Sequence, residues 1–165
     1  MALIQIVPGT EWLRWAPLAA ACLHITEEFV WPGHFMAWYQ RYRGPTAARI
    51  TVRFLVVINV VLVAACVNAA GALNGPPMGT GYWLAMCALL CANGVWHAWA
   101  SVRSHSYSPG VITGVLVYVP LAVYAYPAIL RTEKISVGSA VIAALIGVSY
   151  PVWSALYHRG LGQRS

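Results

Sequence analysis

The sequence predicts an all-α protein: a polytopic transmembrane helix bundle of about five spans, built as one integral membrane domain over residues 1–165. Three observations carry this expectation. Of 165 residues, 60% are hydrophobic and only 8% charged, against about 25% charged in ordinary soluble domains. The apolar residues gather into runs of roughly 20, the length a helix needs to cross a bilayer. Proline, glycine and short charged segments separate those runs. A net charge of +6 in a soluble protein would suggest nucleic acid. Here the basic residues sit between apolar runs, where anionic headgroups meet them, and no phosphate-binding glycine loop or nucleic-acid motif occurs. Membrane lipids, not nucleic acid, are the expected partners.

The elements follow in order. Met1 to Thr10 carries no Lys or Arg before its apolar residues, which argues against a cleaved signal peptide. Pro8-Gly9-Thr10-Glu11 reads as a turn and helix start, with Thr10 as N-cap. The first span is expected over residues 11–31, bent at Pro17 in its second turn and ended by Pro32-Gly33. His34 to Arg43 interleaves aromatics with arginines, a mixture suited to the membrane interface. The second span covers residues 50–72, and an uncharged Asn/Gly/Pro loop follows through Gly81. The third span covers 82–102. The fourth covers 109–130, with bends expected at Pro120 and Pro127. Arg131 to Lys134 is a tight charged turn before the fifth span, 135–157. Cys22, Cys66, Cys87 and Cys91 fall inside these spans without a CxxC pair, so neither a disulfide framework nor a zinc knuckle is indicated; Cys87 and Cys91 share a helix face and read as small buried hydrophobes.

Five spans put the termini on opposite sides. Arg41, Arg43, Arg49, Arg53, Arg103, Arg159 and Arg164 then share one side, and Arg14, Arg131 and Lys134 the other. The positive-inside rule places the N-terminus outside and the C-terminus in the cytoplasm.

Under this topology the unusual polar residues converge at one depth. His24, Glu27 and Glu28 lie in the last turns of span one, and helical spacing puts them on one face. They include two of the chain's four acidic residues. A carboxylate in hydrocarbon costs several kcal/mol unless it is paired, protonated or bound to a cation. Asn93 and His97, spaced i,i+4, end span three at the same depth; Arg53 and Asn59 begin span two there, and Thr113 lies one turn into span four. Taken singly, each has a bland explanation: a glutamate at a helix end reaches the headgroups, and a lone histidine bridges helices. Their convergence is what suggests a site.

His24-x-x-Glu27-Glu28, Asn93-x-x-x-His97 and Pro109-Gly110-x-x-Thr113 occur in that order, unbroken, between Leu18 and Val115. The chain thereby resembles the HXXEE family of small integral membrane proteins. That resemblance implies a shared site at these residues and supplies no reaction.

Chemistry offers three readings. In the first, His24, His97, Glu27 and Glu28 ligate a divalent metal, zinc or iron, in an enzyme acting on a lipid or other hydrophobic small molecule. His24, Glu27 and Glu28 carry the catalysis, and Asn93, Thr113, Arg53 and Trp96 contact substrate or support the ligands. A ferritin-type di-iron site is excluded, since it wants four carboxylates and Glu11 and Glu133 lie at the far side. In the second reading, a protonated Glu beside His24 drives a metal-free isomerase or cyclase on an isoprenoid or sterol-like lipid. Trp31, Trp96, Trp99, Tyr118 and Trp153 would then line a carbocation pocket. The third reading is a small transporter or binding protein, which at five spans and without an inverted repeat would act as a homo-oligomer.

Overall fold

The computed structural model describes residues 11–44, 50–73 and 75–153. The Thr10 cap, Arg49, His158, Arg159, Arg164 and the end of the fifth expected span lie outside the described residues. All regular structure among the described residues is helical. A 3₁₀ turn, Glu11–Trp15, leads into α1 (Ala16–Phe29); α2 (Phe35–Arg43), α3 (Val52–Ala72) and α4 (Pro77–Ser104) follow. Next come α5 (Val111–Leu130) and α6 (Val137–Val148), with a further helical turn as far as Trp153.

Three of these helices, α3, α4 and α5, are long and apolar enough to cross a membrane. The chain is therefore a multi-pass integral membrane protein. The α-helical part of span one is shorter than expected because Pro17 lies in the first turn of α1 rather than in its second. There its missing N–H costs nothing, and the residues before it wind as a 3₁₀ turn. Starting at Ala16, α1 rises only about 21 Å against a hydrocarbon core of about 30 Å.

Two other boundaries differ from expectation. Helix α4 starts at Pro77, so Gly79 and Gly81, expected in a loop, are helical. Pro77 is tolerated there as a first-turn residue, and Gly79 lies against the Ala72 carbonyl where a Cβ would collide. Helix α5 contains a π turn at Gly114–Tyr118, in which the Val119 N–H reaches back to the Gly114 carbonyl. Pro120 follows directly. It brings no N–H and a bulky ring, and the widened turn accommodates both.

Helix α4 is the axis of the bundle, packed against α3 and, more extensively, against both α5 and α6. Lipid tails are as apolar as leucine, so close van der Waals packing, not hydrophobic exclusion, holds such helices together. Small residues make that packing possible. Ala140, Ala143 and Gly147 turn one face of α6 to α4, and Gly147 rests directly over Ala85 and Ala88. Gly94 of α4 and Gly114 of α5 meet backbone to backbone: a Cβ built on Gly94 would lie 2.6 Å from the Gly114 oxygen, and one on Gly114 2.7 Å from the Gly94 Cα. The core between these helices holds Trp83, Leu84, Leu90 and Tyr118. Trp83 anchors the entry of the chain by donating its indole N–H to the Arg14 carbonyl, 3.0 Å away.

A second apolar cluster forms under α2. Phe35, Trp38 and Tyr39 bury against Ile50, Leu55 and Ala100, with Trp96 at its edge. The interfacial helix thus turns its rings inward, while Arg41 and Gly44 stay exposed at its end. Gly33 and His34, with φ of 70° and 69°, make the tight corner after which Phe35 meets Phe29 of α1 and Trp38 meets Trp96 of α4.

Candidate metal centre

The Gly94–Gly114 crossing sets Asn93 and His97 of α4 beside Thr113 and Tyr118 of α5, and α1 presents His24, Glu27 and Glu28 to the same place. His24, Glu28 and His97 are buried, at 2%, 7% and 1% exposure. The two imidazole centroids are 4.9 Å apart in an edge-to-face arrangement. One carboxylate oxygen, Glu28 Oε1, lies 3.5 Å from His24 Nε2 and 3.2 Å from His97 Nε2. One ligand atom from each of the three residues falls within 4.8 Å of the others.

The rear nitrogen of each ring is held by a hydroxyl. His24 Nδ1 meets Thr113 Oγ1 at 2.9 Å, and His97 Nδ1 meets Ser108 Oγ at 2.9 Å. Proton bookkeeping then fixes the tautomer of His24. Thr113 donates its one hydroxyl proton to Glu27 Oε2 at 2.5 Å, so toward His24 its oxygen can only accept. His24 therefore carries a proton on Nδ1, and in the neutral ring Nε2 presents a lone pair aimed at Glu28. A lone pair and a carboxylate oxygen repel unless a cation lies between them. Asn93 Nδ2, 3.0 Å from that lone pair, is the other donor present.

Glu27 does not join the three-residue group. Its Oε1 accepts from the Tyr107 hydroxyl at 2.5 Å and the Ile112 N–H at 3.0 Å. Its Oε2 accepts from the Thr113 N–H at 2.7 Å and the Thr113 hydroxyl. The carboxylate clamps the first turn of α5, where free N–H groups and the helix dipole favour an anion. Four donors and no acceptor describe an ionised group. Burial first, and the Glu27 carboxylate beside it second, hold the Tyr107 phenol above its ordinary range, so it remains a donor. Tyr107 is 41% exposed, so Tyr107, Glu27, Thr113 and His24 form a continuous hydrogen-bonded path from the surface to the cluster.

Gly110 closes the group from above. With φ at +102°, a Cβ there would lie 2.7 Å from His24 Cε1 and 2.9 Å from His97 Cε1. Both the backbone angle and the space demand glycine. Tyr118 stacks on the other face of His24 at 4.6 Å, and Trp96 stands edge-on to His97 at 4.8 Å.

Other expected site residues lie elsewhere. Arg53 is exposed on the first turn of α3, and no ion pair joins it to the cluster. Asn59 turns its amide back to the Leu55 carbonyl and lines an apolar groove of about 590 Å³ with Ile25, Phe29 and Val56. This groove borders α1 through Ile25 and Phe29, not through His24 and Glu28. Of the five aromatics expected around a carbocation, Trp96 and Tyr118 touch the cluster, whereas Trp31, Trp99 and Trp153 are exposed. Span ends carry such rings to the interface, which explains the three. Sequence reasoning missed Tyr107 and Ser108. Both directly precede Pro109-Gly110, and extending that motif upstream by two polar residues was the available signal.

The donor set fits a divalent cation. Tetrahedral metal–nitrogen and metal–oxygen bonds of about 2.0–2.1 Å place neighbouring ligand atoms about 3.3 Å apart, close to the 3.2 and 3.5 Å from Glu28 Oε1 to the two imidazole nitrogens, with all three ligand atoms within 4.8 Å of one another. Rear nitrogens bonded to fixed partners are the usual means of aiming metal-binding imidazoles.

Fold and site together define the class: a multi-pass membrane protein with a buried His-Glu-His cluster able to hold a divalent metal ion. Residues 15–125, most of the chain, match the model of the family described as "Protein of unknown function with HXXEE motif". The chain belongs to that family. No curated protein and no solved structure gives a match.

Proposed function

We propose that this protein is a membrane-embedded metalloenzyme acting on a lipid or other hydrophobic small molecule, with His24, Glu28 and His97 as metal ligands. The convergence of two Nε2 atoms on one Glu28 oxygen, with each rear Nδ1 held by a hydroxyl, carries this reading. Zinc or iron(II) suits two imidazoles and a carboxylate, and three protein ligands leave a position open for chemistry. When bound, the ion supplies Lewis-acid activation. The chain's own residues do the rest: Thr113 and Ser108 orient the rings, Glu27 holds Thr113 in place, and Gly110 and Tyr118 keep water out. Asn93, relieved of its bond to His24 once a cation arrives, can turn its carboxamide to a substrate. The apolar groove beside Ile25 and Phe29 supports a lipid-like substrate. In the same reading, α1 and α6 complete five crossings, with the N-terminus outside and the cluster in the cytoplasmic leaflet.

The decisive measurement is elemental analysis of protein purified without chelator. Near-stoichiometric zinc or iron is expected, strongly reduced in Glu28→Gln and His97→Ala. Turnover of a membrane-lipid extract, followed by mass spectrometry, should vanish on chelation and return with the metal. Wild-type protein that is well folded yet carries no transition metal would sink the metal reading. One observation favours an alternative in that event: a proton shared between Glu28 and the imidazoles would occupy the same position, giving metal-free acid-base chemistry.

A further inference from the structure

Above the aromatic layer that covers His97 lies a polar cavity of about 450 Å³, lined by Trp38, Arg41, Tyr42, Arg103, Ser104 and Ser106. Its arginines come from the last turns of two different helices, α2 and α4. Each has an ordinary explanation alone, since a cation at a helix C-terminus complements the dipole and arginines collect at the membrane surface. Neither explanation makes them converge on one cavity. Neither arginine has a carboxylate partner among the described residues. Among the described residues the four carboxylates lie elsewhere: Glu27 and Glu28 are committed below, while Glu11 begins the turn before α1 and Glu133 is in the turn after α5, both at the opposite end.

The remaining walls are built of hydroxyls and rings. Ser104 Oγ and Ser106 Oγ are 2.8 Å apart, and Trp38 donates its indole N–H to Ser106 Oγ at 3.1 Å. Trp38 and Tyr42 stack at 5.1 Å, nearly parallel, as one side of the cavity. Two unpaired guanidinium groups beside serine hydroxyls form a donor-rich anion cradle, and arginine's planar fork matches phosphate oxygens. The aromatic wall suits the headgroup layer, where rings sit with one edge wet.

We infer that this cavity binds the phosphate of a membrane phospholipid headgroup, with Arg41 and Arg103 as its charged ligands. The site is separate from the proposed metal centre, and neither depends on the other's chemistry. They are nonetheless adjacent: Trp38 meets Trp96 at 6.1 Å, and Trp96 meets His97 at 4.8 Å. A headgroup held here lies one aromatic layer from the cluster.

The test uses full-length protein in a neutral detergent, examined by native mass spectrometry with phosphatidylglycerol, diacylglycerol or inorganic phosphate. Phosphatidylglycerol should bind and diacylglycerol should not. The double variant Arg41→Gln/Arg103→Gln should weaken phosphatidylglycerol binding by about tenfold or more. Each single change should cause part of that loss, and Arg131→Gln, at the opposite end, none. Both arginines are exposed, so the variants should keep the wild-type gel-filtration profile. Equal binding of diacylglycerol and phosphatidylglycerol, or wild-type affinity in the double variant, overturns the proposal. Displacement of the lipid by equimolar inorganic phosphate assigns the site to the free anion and overturns the lipid assignment. Metal content should be unchanged in the double variant, so failure here is distinguishable from failure of the metal reading.

Discussion

Thr113 is the residue on which the cluster's protonation turns. Its hydroxyl faces Glu27 on one side and His24 on the other, and a methyl in its place breaks both bonds. Thr113→Val should lower metal affinity by about 10- to 100-fold, the usual cost of losing an outer partner of a metal-bound histidine. Thr113→Ser should restore most of it, as read by competition with a chromogenic chelator. Gly110 makes a harsher demand. Gly110→Ala combines strain of about 1–3 kcal/mol at a positive φ with a methyl 2.7 Å from His24 Cε1. It should lose metal and melt earlier in detergent than Thr113→Val. The motif reading selected His24, Glu28, His97 and Thr113, because charge and imidazole in an apolar run are conspicuous. Between Glu27 and Glu28, the i,i+4 spacing to His24 favours Glu28 as the ligand by a small margin but assigns Glu27 no separate task. Adjacent helical residues point about 100° apart, and which one meets α5 depends on how α1 is rotated in the bundle.

Among the helices, the crossing of α4 and α5 sets the site's dimensions. Gly94→Leu would push Gly114 away and carry Thr113 and Tyr118 off His24, so both metal retention and the melting temperature should fall. Gly71→Ala in α3 is the matched control. Beyond its own turn of helix no atom lies within 4 Å of the new methyl, and helix propensity alone should make it neutral or stabilising by up to about 1 kcal/mol. Apolar run length made α3, α4 and most of α5 legible in the sequence. Helix starts were less so, because Pro17 and Pro77 read equally well as a kink or a loop and serve instead as first-turn residues. The π turn at Gly114–Tyr118 was not legible at all. Pro120 signals an irregularity, but its form is decided by the packing against Gly94.

For the whole molecule, the basic residues still make the topology testable. A reporter fused after Ser165 should be active in the cytoplasm, and one inserted beside Gly75 should be active outside; the opposite pattern would refute the proposed orientation. The structure also joins the two carboxylates of one motif in a way that bears on which ion the bundle can keep. Glu28 faces the imidazoles and Glu27 faces the start of α5, yet both charges are buried within one hydrogen-bonded unit. Two anionic carboxylates, two neutral rings and one divalent ion sum to zero. Electroneutrality removes most of the self-energy that a net charge carries in a medium of low dielectric constant. A monovalent ion leaves the unit negative and a trivalent ion leaves it positive. In the metal reading proposed above, Glu27, although outside the three-residue group, would thus bias the unit toward a divalent ion; Glu27→Gln should then weaken retention of zinc or ferrous iron, read by elemental analysis.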